Sequence, residues 1–196
     1  MKIRADLHTH AIGDGQFDGL PVETLVSRHV DAAVRTGLDC IAVTDHDDLR
    51  PGRMAVDYAR TNGLPILVLA GMEVSTDDGH LVVIGIDEPL RPWRSIDDTL
   101  AEARERGALS ILPHPFFESL RQRQDIDGIE AFNARYGTFD IPAGPVSTLA
   151  NSDAHSDADL LACACHNLLK VEELSFSGVA GAVRGNRVRI ETRVYG

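Results

Sequence analysis

The chain has 196 residues, 43% hydrophobic and 25% charged, a balance that suits a soluble globular protein long enough to bury one core. Its formal net charge of −11 argues against broad, nonspecific nucleic-acid binding, which depends on Lys and Arg facing phosphates; a phosphorylated substrate stays open, because bound cations reverse a local field. No apolar run approaches the roughly 20 residues that span a bilayer, and Met1 to Asp6 lacks the apolar core of a secretion signal, so the cytoplasm is the expected location.

Ile3 to Leu7 reads as a first strand ending at His8 and His10, followed by a polar, glycine-containing loop from Gly13 to Gly19. Pro21 opens a helix with Val22, Leu25, Val26, Val30, Ala33 and Val34 at helical spacing, and Gly37 closes it. Asp39 to Thr44 is a short apolar strand ending in Asp45 and His46. A helix around Gly52 to Thr61 precedes a strand from Ile66 to Leu69, with Glu73 just beyond it. A further strand, Leu81 to Ile86, follows His80. Ile96 to Arg106 is helical, and Ala108 to Leu112 is a strand leading into Pro113-His114-Pro115. Gly128 to Phe132 ends at Asn133, and Thr148 to Asn151 approaches Asp153 and His155. Ala164 to Val171, a helix from Ser177 to Arg184 and a strand from Arg187 to Ile190 complete the pattern. No repeat, low-complexity segment or linker interrupts it, so residues 1–196 are expected to form a single domain.

Alternating strands and helices imply a parallel sheet, doubly wound or closed as a barrel. The candidate polar groups fall just after successive strands, where barrel enzymes keep their active sites, and this favours the barrel. Cys40, Cys163 and Cys165 are odd in number and an i, i+2 pair rarely closes, so all three are expected reduced and structural.

Six of the eight histidines, His8, His10, His46, His80, His114 and His155, stand beside acidic, glycine or proline residues at strand ends or loops. With Asp14, Asp18, Asp45, Glu73 and Asp153 they form an imidazole and carboxylate set that suits Zn, Mn or Fe. In Asp6-Leu7-His8-Thr9-His10, residues i and i+2 of a strand point the same way, so both imidazoles can approach one cation. Asp153-Ala154-His155 repeats the spacing. Each residue alone has an ordinary explanation: turn chemistry for the aspartates beside glycines, a rigid loop for Pro113-His114-Pro115, a solvated charge for Glu73. The combination carries the argument. His29 is expected on the surface or at its boundary, His166 in or near a strand, and Trp93 in packing.

Asp6-Leu7-His8-Thr9-His10, Thr44-Asp45-His46, Gly71-Met72-Glu73-Val74-Ser75, Pro113-His114-Pro115 and Ser152-Asp153-Ala154-His155 resemble, in order, the motifs of the PHP (polymerase and histidinol phosphatase) family. The resemblance implies a distorted (β/α)7 barrel with two or three divalent metal ions at the C-terminal ends of its strands. It implies one metal on His8, His10, Glu73 and Asp153, and a second sharing Glu73 with His114 and His80. A third would take His46, His155 and an aspartate of the loop, Asp18, with Asp14 as the alternative. Asp45 is expected to orient a ligand from behind it, and His155 or Asp45 to protonate the leaving oxygen. Position near the site suggests Asn133 and Arg135 as substrate-binding residues, Arg135 as a planar fork for phosphate.

The expected activity is metal-dependent hydrolysis of a phosphate ester, a small phosphomonoester by preference or a nucleotide or short oligonucleotide. Two rivals stand beside it: a carbonyl or amide hydrolase on a related metal barrel, and a non-catalytic metal-binding regulatory domain. Sequence alone leaves the metal, the natural substrate and the oligomeric state open.

Overall fold

A computed structural model describes residues 1–13, 19–163 and 165–192. In chain order the elements are β1 (Lys2–Thr9), α1 (Val22–Arg35), β2 (Cys40–Val43), α2 (Arg50–Thr61), β3 (Leu67–Thr76), β4 (Gly79–Ile84), α3 (Ile96–Glu105), β5 (Leu109–Leu112), α4 (Glu118–Arg121), β6 (Gly128–Asn133), β7 (Gly137–Thr138), β8 (Ser147–Asn151), α5 (Asp157–Ala162), β9 (Cys165–Lys170), α6 (Phe176–Arg184) and β10 (Val188–Thr192). The helices α4 and α5 and the strand β7 were not anticipated. For α5 a signal was present: the Ser156 side chain accepts from Asp159 N at 3.1 Å, the usual N-cap arrangement.

The strands follow the order β10-β9-β1-β2-β3-β4-β5-β6-β7, with β8 paired to β6. The expectation of a purely parallel sheet is corrected. The pairs β1–β2, β2–β3, β5–β6 and β6–β8 are parallel, whereas β4, β7, β9 and β10 run antiparallel to their neighbours. The reason is local: only Asp77 and Asp78 separate β3 from β4, and a parallel crossover needs a dozen residues or more. The outcome is a mixed α/β fold whose sheet curls into a half-barrel.

The curl brings β8 back to β1. Asp153 N donates to His8 O at 3.0 Å, His10 N donates to Ala154 O at 2.7 Å, and Thr9 forms a parallel bridge with Ala154. Lower in the seam, the buried Asn167 of β9 fills the gap with its side-chain amide. Its Oδ1 accepts from Ala150 N at 2.8 Å and its Nδ2 donates to Ala150 O at 2.9 Å. A side chain thus stands in for a strand edge, leaving no buried backbone group of Ala150 unpaired.

Inside the curl, Ile3, Ala5 and Leu7 of β1 pack with Cys40, Ala42, Val82, Ile84, Ile111 and Leu149, and α6 covers them with Val179 and Val183. On the outside, α1 and α2 cover Ile41 and Val43, and α3 packs against Val74, Leu81 and Val83. Among the described residues none of the three cysteines closes a disulfide, and Cys163 Sγ lies 3.3 Å from Cys165 Sγ. Trp93, expected to pack, is instead 71% exposed. Among the described residues no helix is long and apolar enough to cross a membrane.

Candidate metal centre

In β1 the inward-facing residues Ile3, Ala5 and Leu7 are followed by a one-residue irregularity, because Asp6 pairs with Ile41 but Thr9 pairs with Val43. Such a bulge changes which face a strand's side chains take, and here His8 and His10 come to the carboxylates of the interior. A second irregularity, between Glu130 and Phe132 of β6, lets Glu130 and Asn133 meet although they are three apart; Asn133 Nδ2 donates to Glu130 Oε2 at 2.8 Å.

Glu73 is central. It lies inside β3, not just beyond the strand as expected, and is fully buried. Its Oε2 is 3.1 Å from His8 Nε2, 3.3 Å from His10 Nε2 and 3.3 Å from His46 Nδ1. Its Oε1 is 2.8 Å from His80 Nδ1 and 2.9 Å from His114 Nε2. Five imidazoles therefore converge on one carboxylate. The approach depends on Gly71: a Cβ there would lie 2.6 Å from Val83 O and 3.0 Å from Thr44 Cγ2, so only glycine lets β3 lie this close to its neighbours.

Asp153 completes the first group. Its Oδ1 is 3.2 Å from His10 Nε2 and 3.7 Å from His8 Nε2, and the two Nε2 atoms are 3.1 Å apart. Ligands held about 2.0–2.1 Å from a tetrahedral zinc-like ion are separated by about 3.3–3.4 Å, which is the spacing these atoms already have. Two buried imidazole nitrogens facing one another with two carboxylate oxygens is a donor set that fits a divalent cation. Four overlapping groups have this character: His8, His10 and Asp153; His8, Glu73 and His114; His46, Glu73 and His80; His10, His46 and His155. The rings of His10 and His155 are 4.2 Å apart between centroids, and those of His10 and His46 4.7 Å.

The polar groups behind these residues set their orientation. His8 Nδ1 donates to Glu130 Oε1 at 2.9 Å, which leaves Nε2 turned to Glu73. Glu130, fully buried, also accepts from His114 N at 2.7 Å and from Asn151 Nδ2 at 2.9 Å. The sequence pattern alone assigns Glu130 no role. Asp6 accepts from Ser152 N at 3.2 Å, tying β1 to the segment that carries Asp153; burial pushes its carboxyl up to about 6. His114 and Asp153 have φ of 25° and 53°, a conformation unfavourable for any residue with a Cβ, and such strain gathers at functional positions.

The electrostatics follow from this crowding. Burial alone would raise the Glu73 pKa, but His8, His10 and His114 override it and hold the carboxyl well below its ordinary range. Burial would lower the His8 pKa, and Glu73 and Glu130 on either side hold it well above. Asp153 is likewise held low against burial by His10 and His8. Burial depresses His46 and His155, whereas the hydrogen bond to Glu73 raises His80.

Three expectations are corrected. Asn133 does not face a substrate: it is fully buried, and its amide donates to Glu130 Oε2 and to Asp153 Oδ2 at 3.1 Å. Asp45 holds backbone, with Oδ1 accepting from Ile12 N at 2.8 Å and Oδ2 from Ala11 N at 3.1 Å, so it fixes the chain just after His10 and is not open to a leaving group. His29 is not at the surface but 1% exposed, with neither ring nitrogen hydrogen-bonded among the described residues, and burial pushes its pKa down to about 3. Arg135 is exposed and lines a cleft of about 470 Å³ with Ser152, Asp153, Asp159 and Cys163. Asp14 and Asp18 lie outside the described residues.

No family model matches the chain. The uncharacterized protein MJ1587 of Methanocaldococcus jannaschii is 29% identical over 143 residues, 67% of this chain and 82% of that protein. Among solved structures, a two-domain protein from Bacteroides vulgatus containing a predicted PHP-like metal-dependent phosphoesterase matches 98% of this chain with a TM-score of 0.74 and 20% identity. The chain has the PHP fold. PfuEndoQ, a lesion-specific endonuclease from Pyrococcus furiosus, has a TM-score of 0.65 over 97% of this chain at 14% identity. The chain spans 65% and 58% of the lengths of those two proteins. An amidohydrolase from Chromobacterium violaceum, solved with sulfate and no metal, has a TM-score of 0.56 at 17% identity, over 77% of this chain and 87% of its own. These neighbours support the PHP resemblance read from the motifs.

Proposed function

We propose that the chain is a PHP-family metal-dependent phosphoesterase, a distorted (β/α)7 barrel with two or three divalent ions at the C-terminal strand ends. The observation that carries this reading is the buried Glu73 carboxylate with five imidazoles and Asp153 around it. His8, His10, Glu73 and Asp153 would hold one ion, His80 and His114 a second sharing Glu73, and His46 and His155 a third with Asp18 or Asp14. Zn, Mn and Fe suit these donors. Bound there, such ions acidify water and neutralise charge gathering on a phosphoryl oxygen.

The chain's own residues do the rest. Glu130 holds the His8 ring through Nδ1 and Asn133 turns Asp153, so the donor set is oriented before an ion arrives. Arg135, on the cleft beside Asp153, offers a planar cation to a phosphate. His155 donates through Nδ1 to Asp153 O at 2.8 Å, which leaves Nε2 either to hold the third ion or, in a two-ion centre where it holds none, to deliver a proton to the leaving oxygen.

The test is hydrolysis of p-nitrophenyl phosphate and bis-p-nitrophenyl phosphate by chelator-stripped protein reloaded with Mn or Zn. Release that depends on metal and is lost in Glu73→Gln is the expected result. The amidohydrolase neighbour favours one second reading, hydrolysis at carbon. Fully metal-loaded protein that ignores both phosphate esters yet cleaves amides or lactones would replace the first reading with the second.

A further inference from the structure

Beside the candidate metal centre, two aromatic rings stand half exposed to solvent. Phe116 is 53% exposed and Tyr136 52% exposed, and their centroids are 5.0 Å apart at 84°. Phe116 stacks on His114 at 5.2 Å and 27°, and Tyr136 meets the same imidazole edge-on at 5.2 Å. Phe139 backs Phe116 at 5.8 Å. The cluster therefore joins, without a break, an imidazole that touches Glu73.

Both rings are carried on braced backbone. Arg121 Nε donates to Pro115 O at 3.1 Å and its Nη2 to Phe116 O at 3.0 Å. Tyr136 lies at the tip of the β6–β7 hairpin, where Tyr136 N donates to Asn133 O at 3.2 Å and Phe139 N to Ala131 O at 2.9 Å. A rigid pair of rings left in water has lost the burial that would normally stabilise it, while its edge-to-face geometry offers a flat third ring a place to stack.

We propose that Phe116 and Tyr136 form a recognition subsite for a flat aromatic ring carried by the ester whose phosphate reaches the centre. The inference rests on the phosphoesterase reading and narrows its substrate to ring-bearing phosphate esters. A nucleobase and a simple aryl group share this chemistry. The charge of −11 disfavours a long polyanion, so the ring belongs to a small ester or to the end of a short strand. Stacking of one base on protein rings strengthens binding by roughly 5- to 150-fold, and that is the preference expected here.

The experiment compares kcat/KM of Mn-loaded protein for adenosine 5′-monophosphate, benzyl phosphate and ribose 5-phosphate, which are all alkyl esters. The ring-bearing esters should exceed ribose 5-phosphate by about tenfold or more. That ratio should collapse toward one in Tyr136→Ala, survive in Tyr136→Phe, and survive in Phe117→Ala, an exposed ring outside the cluster. Preference for the adenosine ester over the benzyl one identifies a nucleobase; the reverse identifies a small aryl ester. Equal rates for all three in the native chain, or a preference that persists in both Tyr136→Ala and Phe116→Ala, overturns the subsite while leaving the phosphoesterase intact. If no ester is hydrolysed, the functional reading fails. Saturation transfer from the protein to the ring protons of the adenosine ester then decides the subsite: transfer lost in Tyr136→Ala supports it, and none in the native chain overturns it.

Discussion

His29 gives the sharpest test of the buried architecture. It lies on the face of α1 that also buries Val26, Val30 and Ala33, with both ring nitrogens buried and without a hydrogen bond among the described residues. Burial pushes its pKa down from 6.5 to about 3, so it is neutral in the folded protein and charged in the unfolded chain below pH 6.5. The unfolded state then binds more protons between pH 6.5 and 3. Stability is therefore complete above pH 6.5 and falls as pH falls through this window. Each pH unit inside it costs about 1.4 kcal/mol, so about 2 kcal/mol is lost between pH 7.5 and pH 5.

His29→Leu keeps a helix-compatible side chain of similar size and removes both the unpaired nitrogens and the titration. The two proteins, stripped of metal by the same chelator, would be melted at pH 7.5 and pH 5.0. The advantage of the variant should widen by about 2 kcal/mol at the lower pH, or about 4–8 °C for a chain of this size. Groups shared by both proteins cancel in the comparison. A gap that does not change with pH would refute the burial of a neutral His29.

Other consequences are open to direct measurement. Gly71→Ala forces a Cβ to within 2.6 Å of Val83 O, and should cost about 1–3 kcal/mol in chemical denaturation while shifting the strand that carries Glu73; an unaltered midpoint would show that β3 has room. Glu130→Gln puts an amide where four donors converge, and should weaken metal binding roughly 10- to 100-fold in competition with a chromogenic chelator. Loading stripped protein with Mn at a hundred times its dissociation constant should stabilise it by about 2.7 kcal/mol, or about 5–10 °C, and an unshifted melt would argue against a site in the folded chain.

Much of this was legible in residues read one stretch at a time. The apolar run at Cys40–Val43 and the helical spacing of α1 gave elements within a few residues of those observed. The extension of β3 past Leu69 was also there to be read, since apolar Met72 and Val74 alternate with Glu73 and Ser75; Gly71 hid it by resembling a strand end. His29 falls three residues after Val26 on the helix's apolar stripe, which is a buried position whatever the residue type suggests. What no local pattern carries is register. The irregularities in β1 and β6 bring His8, His10, Glu130 and Asn133 to one place, and each exists only through pairing with a strand distant in sequence. Position alone therefore suggests substrate for Asn133, and ligand orientation or proton transfer for Asp45, whereas long-range contacts commit Asn133 to Glu130 and Asp153, and Asp45 to the backbone of Ala11 and Ile12 just after His10.

The same contacts explain why this cluster calls for cations. His8 and His10 face each other through Nε2 at 3.1 Å, so at most one of those nitrogens can point a proton at the other. Glu73 and Asp153 bring two buried carboxylates to the same spot, and burying them without positive charge is costly. In metal-free protein that charge is a proton: against the downward pull of burial, Glu73 and Glu130 hold His8 charged well above its ordinary range. A divalent ion would supply the charge better, since the His8 and His10 nitrogens and the Glu73 and Asp153 carboxylates could all serve it. It must displace the proton on His8 to do so. Metal binding at this centre would thus be coupled to proton release and would weaken as pH falls, and the buried Glu130 behind His8 would help set how strongly.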